Sequence, residues 1–513
     1  MTTGSAEMTG MRLSKVLLAC AAAMLFGCSR NDGGASSAIN SAADLKGKRV
    51  AHMSSNWHKR ELLELQPDVV FAPYSEYAFA IESLRKRKID AISIGKTYAD
   101  VWQAKYPGEF RVAFEYADDV CCFLLAKGAP LKAKIDAELR QLDASGELDA
   151  VYGKWVEAAK VGKTLEMPQQ TAAPDAPVLR VACAAVNEPW CLVANDAPIG
   201  VDMEILTLVA NRLGVRLKPK VYSWGGMVDC VNGGRCDIAC GGVYTAGNEF
   251  PTVDVSEHYA EERMCILVLD ERFDRSCGGI GAFVQSLKES FVRTFVTENR
   301  WRMLFNGFGV TLLITFLSAL LGTILAFPVW FARTSRFRIV SACAKGYIAA
   351  LQGTPVLVLL MVLFYLVFGN VEIDGFWVAV LGFGLNLSAY AGEMLRSGVD
   401  SIPRGQTEAA LALGYSPCRA FTRFVLPQAV RAILPVYRGE LIGLLKMTSI
   451  VGYIAISDLT KASDLIRSRT YESFFPIITT AVIYFLASWA FAAALERLGR
   501  RLDPAARRKG GAK

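Results

Sequence analysis

The sequence predicts two unlike halves in one chain, an N-terminal α/β domain and then an all-α membrane domain with about five transmembrane helices. Three observations carry this. The 513 residues are 52% hydrophobic with a positive mean hydropathy, which is high for a wholly water-soluble chain. The charge-free runs Met303–Ala332, Gly346–Val371, Gly375–Gly392 and Ser473–Leu495 all lie beyond residue 300, and each is near or above the ~18–20 residues that cross a bilayer. Before residue 270, short β-branched runs alternate with helix-like stretches, the pattern of an α/β sheet.

Taken in order, Arg12 and Lys15 precede the apolar run Val16–Phe26, so residues 1–28 read as a signal peptide, with Met11 a better start than Met1. The run ends in Gly27-Cys28 and resembles a lipoprotein signal, which implies lipidation of Cys28. Residues 29–43 form a Ser/Ala/Gly/Asn tether. A first α/β segment, 44–160, opens with a strand at Arg49-Val50-Ala51 and has a buried strand at Ile89–Ile94. A Pro/Gln/Ala linker, 161–177, leads to a second, 178–270, with strand Val178–Ala184, helix Met203–Leu213 and strands Arg216–Tyr222 and Asp237–Gly241. In 283–302, Phe283, Leu287, Phe291 and Phe295 recur every four residues, as in an amphipathic helix lying on a membrane surface.

The membrane domain is expected over 303–496. A fifth span around Leu434–Ile456 contains Glu440 and Lys446, whose cost in hydrocarbon suggests a place on a translocation path. Basic residues after the first span, in 396–431 and in the tail 497–513 orient these segments to the cytoplasm and the α/β domain outside, as in a multi-pass protein of a bacterial inner membrane. The segment Asp458–Glu472, with Lys461, Arg467 and Arg469, fits this orientation less well. A net charge of +7 distributed in this way reflects topology and gives no sign of nucleic-acid binding.

Between spans lies Glu408-Ala409-Ala410, then Gly414, then Phe424 and Leu426-Pro427. Gln406–Leu413 is rich in helix formers, Gly414 supplies a left-handed stop, and Ser416-Pro417 reads as the N-cap and first residue of a second helix over Cys418–Leu426. This pattern resembles the EAA coupling loop of ABC import permeases. The resemblance implies that Glu408, Ala409, Ala410, Gly414 and Phe424 dock an ABC ATPase subunit, with two ATPase copies serving a pair of permease subunits, expected as a homodimer in a lipid bilayer. Gln352–Pro355, Ala389–Arg396 and Leu444–Ser449 resemble further recurring segments of the polar amino-acid uptake permeases.

Nine of the 13 cysteines lie between Cys121 and Cys277; Cys183 with Cys191 and Cys230 with Cys236 are the plausible disulfide pairs. The spacing of Cys230, Cys236 and Cys240 matches no zinc pattern, and no metal or cofactor is expected. The three histidines form no catalytic pattern, and Gly95-Lys96-Thr97 lacks the glycine that a phosphate loop needs five residues earlier. The chain therefore reads as a transporter subunit and not as an enzyme.

The α/β segments resemble the two lobes of family 3 solute-binding proteins. Gly200–Ile205, Trp224-Gly225-Gly226 and Val253–Ser256 match the opening lobe; Asp44–Val50, Lys88–Ala91 and Gly153–Trp155 match the closing lobe. The opening lobe comes second here, so the pair reads as one circularly permuted, bilobed periplasmic-binding-protein-like domain, the alternative being two incomplete modules. The resemblance implies a small polar solute, an amino acid or a relative. Glu249 takes the place of the family's carboxylate-binding Arg, and Gly95 or Lys96 that of its ammonium-binding Asp, so the head-group charges are absent or reversed. Ser54, Asn56, Lys96, Trp190, Asp202, Trp224 and Glu249 are the candidate solute-binding residues, Trp190 and Trp224 being equally readable as core. A ligand-binding receptor or a ligand-gated channel is the alternative, since Ser449–Tyr453 resembles part of a potassium filter.

Overall fold

The computed structural model describes residues 38–53, 58–74, 76–194, 197–245, 250–270, 280–369, 371, 373–472 and 474–502. The signal segment and Cys28 lie outside them. The chain divides into a short unit, Met1–Asn40, and a second, Ser41–Lys513, which holds every element below.

The first α/β segment contributes β1 (Arg49–Met53), β2 (Val70–Tyr74), β3 (Ala91–Gly95) and the long β4 (Phe110–Ala126). The second contributes β5 (Val178–Cys183), β6 (Val186–Asn187), β7 (Cys191–Ala194), β8 (Ala197–Ile199), β9 (Arg216–Val221), β10 (Ile238–Tyr244), β11 (Val253–Val255) and β12 (Ala260–Leu269). β6, β7 and β8 form a small sheet; the rest form one nine-stranded sheet in the order β2-β1-β3-β12-β4-β10-β5-β9, with β11 also on β4. The two segments interleave. β12 lies antiparallel between β3 and β4, and the last residues of β4, Cys121–Ala126, leave β12 to pair with β10 and β11. β3 is buried along its whole length, as a β-branched central strand should be.

The two helices that end the first segment, Leu131–Ala144 and Glu147–Lys160, pack on the second segment's Val201–Leu213 helix, which stops at left-handed Gly214. Lys154 pairs with Glu204 at 2.5 Å, Trp155 Nε1 donates to Glu204 Oε2 at 2.7 Å, and Arg212 pairs with Glu147 at 2.6 Å. Residues of both segments share one apolar core.

Among the described residues of the membrane half, three helices are long and apolar enough to span: Trp301–Arg333, Gly375–Asp400 and Phe474–Arg497. Two bent pairs raise the number to five if each is one span. The expected span Gly346–Val371 is such a pair: Arg338–Gly353 meets Val356–Val367 at 108°. Pro355 offers no amide and pushes Thr354 into extended backbone (φ −102°, ψ 127°), which breaks the helix. The polar span expected at Leu434–Ile456 falls in the second pair, Pro417–Ile454 with Leu459–Thr470, bent by 53°. Glycines let the helices Trp301–Arg333 and Gly375–Asp400 approach closely; a β-carbon on Gly384 would lie 2.7 Å from Leu321 Cδ2. Ser449–Tyr453 lies inside a 3₁₀ segment, Thr448–Ile454, and not in the extended backbone of an ion filter.

The Leu459–Thr470 helix, started by the Asp458 side chain accepting from Thr460 N and Lys461 N, presses against the α/β domain. Arg467 pairs with Glu76 at 2.8 Å, Arg469 with Glu188 at 2.5 Å and Glu298 at 2.9 Å, and Tyr471 buries its ring 5.1 Å from Trp102. Two of the basic residues that conflicted with the charge rule, Arg467 and Arg469, are therefore used in docking. On the other lobe, Arg235 donates to the carbonyls of Phe364, Phe368 and Ile373, and Lys220 pairs with Asp374 at 3.3 Å.

Candidate functional site

β3 ends at Gly95 and the Lys96–Lys105 helix begins there, facing the stretch where β4 and β12 run side by side. Between them lies a cavity of about 550 Å³ whose wall includes Lys96, Thr97, Asp118, Asp119, Tyr152 and Glu262. Asp100, Glu261 and Arg263 also reach it, so five carboxylates face two cations. Glu262 is buried; it accepts from Thr97 N at 3.1 Å and Arg263 N at 2.9 Å, and burial pushes its carboxyl above the usual range. A β-carbon on Gly95 would lie 2.7 Å from Tyr244 Oη and 3.0 Å from Glu262 Oε2. The position where the family resemblance expects an Asp thus has no room for one, and a carboxylate from β12 lies beside it.

Lys96 is half-buried and paired with Asp100; burial lowers and the Asp100 carboxylate raises its ammonium, with a net rise. Asp119, buried, bonds His58 Nε2 at 2.5 Å and accepts from Val120 N at 2.7 Å and Thr245 N at 3.0 Å. Thr245 immediately precedes residues 246–249. Ser54, Asn56 and Glu249 lie outside the described residues.

The other candidates do not face the cavity. Trp190 is fully buried against Tyr152, Tyr244 and Tyr259, which makes it core. Asp202 is fully buried too. It accepts from Gly241 N at 2.7 Å, Gly242 N at 2.8 Å and Tyr259 Oη at 2.9 Å, and burial pushes its carboxyl up to about 7. Its helix-start signature is structural: the carboxylate ties that helix to β10. Trp224 begins a helix capped by Ser223 and packs with residues of the membrane half, away from the cavity. Glu440 is half-buried and Lys446 exposed on the Leu426–Met447 helix.

The coupling segment folds as helix Arg404–Ala412, Gly414 at φ +84°, then Pro417–Ala420. The second helix runs on through a π-type turn, Phe421–Val425, into Leu426–Met447 instead of ending at Leu426. Ser416 has the extended N-cap backbone but makes no side-chain cap bond. Glu408, Ala409 and Gly414 are exposed; Ala410 is buried and faces inward, and Phe424 is half-buried with Tyr415 edge-on at 5.1 Å. Leu411 and Leu413, which the sequence reading passed over, are 43% and 76% exposed beside Glu408. Cys230 and Cys236 are disulfide-bonded as expected, whereas Cys183 and Cys191 are not bonded to each other.

Residues 318–508 match the family of binding-protein-dependent transport system inner membrane components, and residues 179–409 match bacterial extracellular solute-binding proteins, family 3. The L-cystine transport system permease protein TcyB of Bacillus subtilis (strain 168) is 35% identical over 210 residues, 40% of this chain and 90% of the relative. The probable amino-acid ABC transporter permease protein YckA of the same organism is 34% identical over 180 residues, 35% of this chain and 80% of the relative. The nopaline transport system permease protein NocM of Agrobacterium fabrum is 34% identical over 193 residues, 35% of this chain and 79% of the relative. The chain belongs to the family of amino-acid ABC transporter permeases, with a solute-binding segment fused ahead of the membrane domain.

Proposed function

We propose that this chain is the membrane subunit of an ABC importer that carries its own receptor, works as a pair with two separate ATPase subunits, and takes up a small cationic relative of an amino acid. The observation that carries the solute class is the cavity between β3, β4 and β12, where Glu262, Glu261, Asp118, Asp119 and Asp100 outnumber Lys96 and Arg263. A concave site lined by one sign of charge concentrates the opposite sign. The relatives named for L-cystine and nopaline transport are consistent with an amino-acid-derived solute. Glu408, Leu411 and Leu413 on the exposed coupling loop are the contact for the ATPase.

The receptor is one circularly permuted domain, 44–160 and 178–270, joined by the linker 161–177. The shared sheet and shared core support this reading. With Arg467 paired to Glu76 and Arg469 to Glu188 of that domain, the remaining basic loops agree on an external receptor and a cytoplasmic C-terminus.

The test uses the full chain in lipid nanodiscs, screened by thermal shift against arginine, lysine, diamines, neutral amino acids and glutamate. A ligand at 100 times its Kd stabilises by about 2.7 kcal/mol. Cationic solutes should give the shift; a shift with glutamate alone would overturn the solute class. Uptake into proteoliposomes with the ATPase partner added, lost without it, tests the importer reading separately.

A further inference from the structure

Four sulfur atoms converge where the small sheet meets the large one. Cys183 ends β5, Cys191 opens β7, Cys240 lies within β10, and Met203 is in the first turn of the Val201–Leu213 helix. The three cysteines are 0% exposed and Met203 3%. The thiol sulfurs all lie within 4.8 Å of one another. Cys183 Sγ is 3.7 Å from Cys240 Sγ, and Met203 Sδ is 3.5 Å from the first and 3.9 Å from the second. Four ligands held tetrahedrally by metal–sulfur bonds of about 2.3 Å are about 3.8 Å apart, so the measured spacings already approach those of a loaded site. Cys183 and Cys240 are register partners on adjacent parallel strands, which puts both thiols on one face of the sheet. None of the three is in a disulfide.

We propose that Cys183, Cys191, Cys240 and Met203 form a closed site for one copper(I) ion. Thiolate and thioether sulfur select soft cations, and a methionine as fourth ligand favours copper(I) over zinc, whose structural sites are completed by Cys or His. Each thiol that ligates releases its proton to solvent; no electron is transferred. The ion would clamp β7 of the small sheet to β5, β10 and the helix. The turn between β6 and β7 carries Glu188, the partner of Arg469, so the clamp steadies a contact between receptor and membrane half.

The full chain, purified without oxygen in detergent, is titrated with copper(I) against a chromophoric chelator. One equivalent should be retained per chain, with a thiolate-to-copper ultraviolet band and a higher Tm. Cys183→Ser or Cys240→Ser should each weaken binding about 100-fold or more, and Met203→Leu, which keeps the core volume, about 10-fold. Cys343→Ser, at an exposed thiol, should change nothing. Because the serine variants can destabilise the core, the Met203→Leu titration stands as an independent arm. Failure to hold copper against the chelator, a disulfide among the three cysteines in the isolated protein, or tighter retention of zinc than of copper(I) would overturn the proposal.

Discussion

A methyl group added at Gly95 would come closer to Tyr244 Oη than real side chains approach and would crowd Glu262 Oε2 at 3.0 Å, so Gly95→Ala is expected to shift Tyr244 and with it the Glu262 carboxylate at a cost of about 1–3 kcal/mol. Solute affinity by calorimetry should fall with it; unchanged affinity and Tm would remove the cavity as the solute site. Glu262→Gln, which keeps the shape, should weaken a cationic solute by at least roughly tenfold, as expected when one partner of a buried charge contact is lost. Asp202 offers a pH test. Its carboxyl rises from 3.8 to about 7 on folding, so the folded state binds its proton more tightly than the unfolded state. That contribution is complete below about 4 and is lost as pH rises to about 7. Chemical denaturation of Asp202→Asn should therefore show a flatter stability profile across this window, while Asp202→Ala, leaving the Gly241 and Gly242 amides unpaired, should cost about 1–3 kcal/mol at any pH. The sequence placed Asp202 and Trp190 among solute contacts because a motif marks a position without saying which way its side chain turns. Glu262 was missed because the acid comes from a strand far from Gly95 in sequence.

Among the elements, the coupling loop was the most legible, since helix formers, a left-handed glycine and an N-terminal proline are all local signals. Gly414 at φ +84° makes Gly414→Val strained by about 1–3 kcal/mol. Replacing Gly414 or Glu408 should abolish uptake and ATPase assembly while solute binding survives; normal uptake would sink the coupling assignment. The Leu459–Thr470 helix was less legible, because hydropathy sees only that Arg467 and Arg469 are costly in a membrane, and their carboxylate partners are distant in sequence. Arg469→Ala removes the cation that Glu188 and Glu298 share but leaves Glu188 with Lys105 and Glu298 with Arg300, a loss of about 1–3 kcal/mol. Because Arg467 also pairs with Asp464 at 3.0 Å, exchanging charges in the pair Glu76→Arg and Arg467→Glu should recover part of the uptake that each single change loses once Asp464→Asn removes that carboxylate. Absence of recovery would show that the contact is not a docking pair. The break at Pro355 was readable from the sequence in principle, but a charge-free run satisfied the span criterion and hid it.

For the whole molecule, division into an α/β half and a membrane half was legible in hydropathy alone, and the proposed permutation rests on the order of the lobe motifs. The interleaving of strands was not, because sheet order depends on contacts between segments far apart in the chain. If the segments form one domain, residues 45–270 expressed together should bind solute and unfold in one transition, and neither 45–160 nor 178–270 alone should bind. Independent binding by either piece would restore the two-module alternative.

The position of β12 also governs the order in which the chain can mature. β3 and β4 are synthesised early, yet they are joined only through β12, which follows after the linker and most of the second segment. β4 takes all its neighbours, β12, β10 and β11, from the second segment, so its apolar end, Cys121–Leu125, is unpaired until β10 is made at residues 238–244. The nascent protein therefore holds an open edge while residues 127–237 are added, about a fifth of its length, an interval in which pairing with another chain competes with folding.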